Sequence, residues 1–111
     1  QSDWEDYFDE FKKIDFTEKT VAIFGLGDQI GYDEYFVDGI GILAKVIIAN
    51  GGKVIGNWPR EEYSFTESKA LVNENYFYGL PIDQDNEEEL TLMRLEKWVE
   101  QIKNEIRNYK N

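Results

Sequence analysis

The stretch Gly25-Leu26-Gly27-Asp28-Gln29-Ile30-Gly31-Tyr32 puts a carboxylate and an aromatic ring into one glycine-rich turn, directly after the apolar run Thr20-Val21-Ala22-Ile23-Phe24. At the carboxyl end of a parallel strand such a turn is a candidate binding edge, because ligands of open α/β sheets occupy the crevice outside those strand ends. The chemistry available to it is narrow. The chain has no histidine and no cysteine. Imidazole bases, thiolate nucleophiles, disulfides and the usual zinc ligands are therefore missing together, which argues against hydrolytic and metal-centred enzymes. Gly25, Gly27 and Gly31 spell GxGxxxG, one residue too long for the dinucleotide fingerprint, and no acidic residue ends a following strand at the required distance, so NAD is rejected. Asp83, Asp85 and Glu87 to Glu89 begin like a calcium loop but lack its internal glycine and closing glutamate, and read as a solvated run before a helix. Trp4, Trp58 and Trp98 read as core or interface aromatics.

Several elements must hold this turn in place. Ser2-Asp3-Trp4-Glu5 has the form of a capping box, and Trp4, Phe8 and Phe11 follow at helical spacing up to Ile14. Thr20 to Phe24 has no polar alternation, the pattern of a parallel strand buried on both faces. Phe36, Ile40, Leu43 and Ile47 mark a second amphipathic helix that stops at Asn50-Gly51-Gly52. Val54 to Trp58 and Tyr76 to Ile82 predict two further strands. Between them lies a polar segment, Pro59 to Asn75, in which Tyr63, Phe65 and Leu71 are too apolar for a plain linker. Leu90 to Tyr109 predicts the longest helix, with Leu95, Trp98, Ile102 and Ile106 on one face. Thr91 is its candidate cap, although Arg94 stands where a capping box takes Glu or Gln. Helices alternating with strands imply an α/β layered fold in one domain.

A length of 111 residues suffices for one modest core, and 41% hydrophobic with 15% aromatic residues is a folding composition. The net charge of −11 argues against nucleic acid and anionic membrane surfaces, which attract Lys and Arg clusters. A basic protein partner and plain solubility both account for it. No apolar run approaches the roughly 20 residues of a membrane span, and no basic segment followed by an apolar one opens the chain, so the cytoplasm is expected. The start at Gln1, without methionine, fits a processed or excised piece.

Taken in order, Gln1-Ser2-Asp3-Trp4-Glu5, Phe24 to Tyr32, Gly56-Asn57-Trp58, Gly79-Leu80 and Asp83-Gln84-Asp85-Asn86 resemble the long-chain flavodoxins along essentially the whole chain. The resemblance implies a flavodoxin-like parallel sheet with flanking helices, and FMN as the cofactor of a low-potential one-electron carrier rather than an enzyme. It also implies that the segment at about 59–75 is the insertion that splits the last strand. Tyr32 takes the position of the tyrosine that stacks on the flavin ring. Leu26, Gly27 and Asp28 match the stretch whose backbone approaches flavin and ribityl chain. There Asp28 either accepts from ring nitrogens or bonds its own turn, and the two roles are compatible. Tyr35 and Asp38 fall near the flavin edge or ribityl chain, although Tyr35 and Val37 replace amides seen in many members. Asp85 belongs to an acidic segment that the family uses in docking basic-faced redox proteins.

The chain departs from the pattern in having no counterpart of the family's first three strands, nor of the loop whose free amides hold the FMN phosphate. FMN in this strand order lies between strands 1 and 3. The expected sheet is therefore incomplete, and the strand at 20–24 exposes an apolar edge that recruits another chain. Three outcomes are open. In the first, an amino-terminal flavodoxin segment supplied separately completes an FMN carrier. In the second, two copies pair through the exposed edge as a flavin-free interaction or scaffold module. The third is a separate flavin enzyme, for which no acid, base or nucleophile constellation is present. The isolated chain is expected to bind FMN weakly or not at all.

Overall fold

The computed structural model describes residues 2–110, with side chains from 6 to 108. The side chains of the expected capping box and of Trp4 lie outside the described residues. Helix α1 (Ser2–Phe11) leads through a turn to two short strands in line, β1 (Thr20–Ala22) and β2 (Phe24–Leu26). Helix α2 (Asp38–Ala49) follows, then β3 (Lys53–Ile55), β4 (Trp58–Pro59), β5 (Tyr76–Phe77) and β6 (Leu80–Ile82). A helical run closes the chain: α3 (Gln84–Glu87), a 3-10 turn (Glu88–Leu90) and α4 (Thr91–Lys110).

Strand β1 pairs with β3 and β2 with β6, both in parallel. Lys19 O, Ile23 O and Gly27 N all bond across this junction, to Lys53 N, Leu80 N and Ile82 O. Peptide groups alternate sides along a strand. The odd-numbered residues of 19–27 thus face β3 and then β6, while Thr20, Ala22, Phe24 and Leu26 turn their peptide groups to the opposite edge. Among the described residues no strand pairs there.

The expected burial of this segment on both faces is corrected. Ile23 is 8% exposed, but Phe24 is 59% and Leu26 70% exposed. Val21 and Ile23 pack against the α2 side and Ala22 against the Trp98 cluster. Phe24 meets Trp98 nearly perpendicularly, with ring centroids 6.1 Å apart. The two later strands are each broken in two. Gly56, at φ +81, ends β3 with a left-handed step that other residues resist. Its N–H donates to Glu105 Oε1 at 2.8 Å and its carbonyl accepts from Trp98 Nε1 at 2.7 Å. Side chains of α4 thus satisfy the backbone where the strand stops. Residues 59–75 leave through β4 and return through β5, an antiparallel pair at the neck of the insertion.

The insertion packs back on α2. Phe36, Tyr63, Phe65 and Phe77 form one aromatic cluster, with centroids 5.3–6.0 Å apart. Phe36 precedes α2, because Val37 at φ +46 starts the helix in a left-handed conformation costly for a β-branched residue. At Gly41 an added Cβ would lie 2.0 Å from Lys69 O, so only glycine lets the insertion backbone rest on the helix. Asn50 ends α2 and ties it to the α1 turn through bonds from Nδ2 to Lys12 O and Ile14 O, each 2.8 Å.

Candidate functional site

The carboxyl ends of β2 and β6 open together, and a groove of about 340 Å³ lies outside them, lined by Leu26, Gly27, Asp28, Tyr32, Gln84 and Asp85. Five of the sequence-predicted site residues meet here, contributed by the glycine loop and by the start of the helical run. Tyr35 and Asp38 do not line the groove. Tyr35 is 66% exposed beside it in sequence. Asp38 Oδ1 accepts from Lys69 N at 2.7 Å and so ties the insertion to the start of α2. A larger cavity of about 430 Å³ lies at the outer β3 edge, bordered by Lys53, Ile55, Asn57 and Glu105, and none of the sequence-predicted site residues lines it.

Asp28 closes the loop on itself. Its Oδ1 accepts from Gly31 N at 2.7 Å, Ile30 N at 3.1 Å and Asn86 Nδ2 at 2.9 Å. The Gly31 amide, with Asn86 and Ile30 behind it, holds this carboxyl below its ordinary range, so it is charged at neutral pH. Of the two roles open for Asp28, the turn role is the one these bonds describe. Gly27 has an inward reason to be glycine: an added Cβ would lie 2.6 Å from Val37 Cγ1. Tyr32 and Leu26 stand out from the loop, 67% and 70% exposed, as an unshared apolar surface.

Beneath the groove lies a polar layer that the sequence reading missed. Asp83, 1% exposed, is not part of a solvated run. It caps the helical run, accepting from Asn86 N at 3.0 Å, and also accepts from Asn86 Nδ2 at 2.8 Å and Gln29 N at 2.9 Å. Burial is the largest influence on its carboxyl and pushes upward, but the Asn86 and Gln29 donors together outweigh it and hold the group below its usual range. Asp83 is thus the cap of α3, and α4 begins only after the 3-10 turn. Thr91, expected as its cap, lies in helical conformation with its Oγ1 buried and unpartnered. Arg94 is 1% exposed and bonds Glu87 Oε1 at 2.9 Å. The spacing signalled both residues: Asp83-x-x-Asn86 is a capping interval, and Arg94 precedes Trp98 by one helical turn. Gln29 left no such signal. No group of three acidic side chains that could hold a metal occurs among the described residues.

A family model described as Flavodoxin matches residues 1–98. This chain belongs to the flavodoxin family. It is 50% identical over 106 residues to the flavodoxin of Haemophilus influenzae, covering 96% of this chain and 61% of that one. To flavodoxin 1 of Escherichia coli K12 it is 46% identical, covering 96% and 60%. Two structures of Fusobacterium nucleatum flavodoxin bound to flavin mononucleotide superpose with a TM-score of 0.86 at 33% identity. They are covered to 61% and 62% of their length, against 95% of this flavodoxin chain. The chain thus spans about three fifths of the relatives it matches, which accords with its incomplete parallel sheet and flanking helices.

Proposed function

We propose that this chain forms the ring-side part of an FMN site and that, completed by the remaining strands and phosphate loop of a flavodoxin, it carries single electrons at low potential. The groove carries the reading. It offers an exposed tyrosine and an exposed leucine to a flat apolar ring, and the carboxylates of Asp28 and Asp85 to its polar edge. No Lys or Arg lines it. It therefore suits an isoalloxazine ring and repels a phosphate, whose site must come from elsewhere. FMN, the group bound in the Fusobacterium structures, would supply the reversible uptake of one electron. The protein's part is to exclude water with Tyr32 and Leu26 and to surround the ring with negative charge, which opposes a further electron and lowers the potential.

On this reading the chain is an electron carrier and not an enzyme, is cytoplasmic, and meets basic-faced redox proteins through its acidic surface, in keeping with a net charge of −11. Among the described residues no helix is long and apolar enough to cross a membrane. With the phosphate side missing, FMN binding by the chain alone is weak or absent.

The purified chain is tested by its visible absorption and molecular mass, without added flavin. It is then titrated with FMN, alone and with a peptide supplying the missing strands. Colour or micromolar binding only in the completed species supports the carrier. Tight binding by the lone chain removes the claim of weakness. A colourless species of two chains that ignores the peptide favours the flavin-free scaffold, for which the open edge at Thr20 to Leu26 is the supporting observation.

A further inference from the structure

Gln29 follows Asp28 in the loop but turns inward, 4% exposed, and its polar atoms reach three residues in two distant segments. Its N–H donates to Asp83 Oδ2 at 2.9 Å. Its Nε2 donates to Glu87 Oε1 at 2.7 Å, and its Oε1 accepts from Ser64 N, in the insertion, at 2.6 Å. The same Glu87 oxygen accepts from Arg94 Nη1 at 2.9 Å. Arg94 lies over the ring of Tyr63, 4.4 Å from its centroid, and the Tyr63 hydroxyl donates to Pro81 O at 2.7 Å. Loop, insertion and helical run therefore meet at one buried polar centre.

Stability is a poor explanation for this centre. Arg94 Nε and Nη2 are buried without hydrogen-bond partners, and the exposed Glu62 carboxylate comes no closer than 3.8 Å to Nη2. Replacing a buried ion pair by well-packed hydrocarbon of similar volume is often neutral or stabilising, and this guanidinium is incompletely matched. What the arrangement provides is direction. Arg94 fixes Glu87, Glu87 selects the amine end of Gln29, and Ser64 N–H selects its oxygen end, so the amide has one orientation.

We infer that Gln29, Glu87 and Arg94 are positioning residues that couple the insertion to the glycine loop, so that the insertion's seating at Tyr63 and Ser64 sets the placement of Asp28 and Tyr32 on the groove. The link to FMN rests on the carrier reading; the coupling itself does not. A ligand or partner that lifts the insertion would loosen the ring-facing loop without touching it.

The test is amide hydrogen exchange on the chain, with α2 as internal reference. Gln29→Glu keeps the acceptor for Ser64 N and sets a carboxylate against Glu87. Its exchange at Ile30, Gly31 and Tyr32 should rise by about tenfold or more, while Ala44 and Ile47 in α2 change by less than about threefold. Combining Gln29→Glu with Glu87→Gln restores the bond with donor and acceptor reversed at unchanged net charge, and should return the loop to within about threefold of wild type. Equal acceleration in loop and helix, or no recovery in the double variant, overturns the coupling. Should Gln29→Glu not fold, Arg94→Lys keeps the charge but loses the guanidinium fork, and the same loop-only acceleration is required. FMN titration of the completed protein is read separately. Weaker binding in Gln29→Glu with recovery in the double variant extends the coupling to the cofactor, and unchanged affinity in a loosened loop refutes that extension. No FMN binding by any variant, wild type included, removes the carrier reading and leaves the exchange result to decide the coupling.

Discussion

Replacing Asp83 by alanine tests whether the floor of the groove is held by one carboxylate. Asp83 receives two helix-start donors from Asn86 and one backbone donor from Gln29, 54 residues away. Losing a helix cap costs about 1 kcal/mol, and leaving the buried Gln29 N–H without an acceptor costs roughly 1–3 kcal/mol more. The sum, about 2–4 kcal/mol, is a large share of a domain's usual stability of roughly 5–15 kcal/mol. Urea denaturation at pH 7 reads it as a lower midpoint with unchanged slope. The pH dependence has a definite sign. Because the folded carboxyl is held below its ordinary value, its contribution is complete above the unfolded pKa of about 3.9 and is lost as pH falls through the lower folded value. Asp83→Asn, which cannot titrate, should therefore lie below wild type at pH 7 and approach it on acidification beneath pH ~4. A loss under about 0.5 kcal/mol for Asp83→Ala, or a gap to Asp83→Asn that stays constant with pH, would refute the reasoning.

Tyr32→Ala in the completed protein should weaken FMN binding by roughly 2–10-fold, the worth of one aromatic contact, as read by flavin fluorescence titration. Gly41→Ala forces its new methyl against Lys69 O, and should cost about 1–3 kcal/mol while making residues 59–75 easier to cut in limited proteolysis. Trp98→Phe removes the donor to Gly56 O, and thermal denaturation should report about 1–3 kcal/mol for that buried carbonyl.

The elements were legible where one periodicity governed a whole segment. Ile40, Leu43 and Ile47 marked α2, and Asn50-Gly51-Gly52 stopped it. Legibility failed where neighbours, not the segment, decide. Thr20 to Phe24 reads as one apolar strand, yet its ladder passes from β3 to β6 and runs on to Leu26. Tyr76 to Ile82 likewise reads as one run, but Tyr76 and Phe77 serve the neck of the insertion while Leu80 to Ile82 join the sheet. The groove's rim was visible in residue types. Much of its support was not, because Gln29 and Ser64 are polar residues whose partners lie tens of positions away and carry no local pattern.

The open edge of Thr20 to Leu26 also fixes how the lone chain should answer to salt. Apolar side chains and unpaired peptide groups on that edge favour strand-to-strand association, while eleven net negative charges per chain oppose it. Screening shortens the reach of that repulsion from about 10 Å at 0.1 M to about 3 Å at 1 M ionic strength and leaves the apolar attraction intact. Self-association should then grow with ionic strength, whereas docking to a basic redox protein should fade. The same molecule thus carries two contacts of opposite salt response, and the direction of a single titration tells which one is being observed.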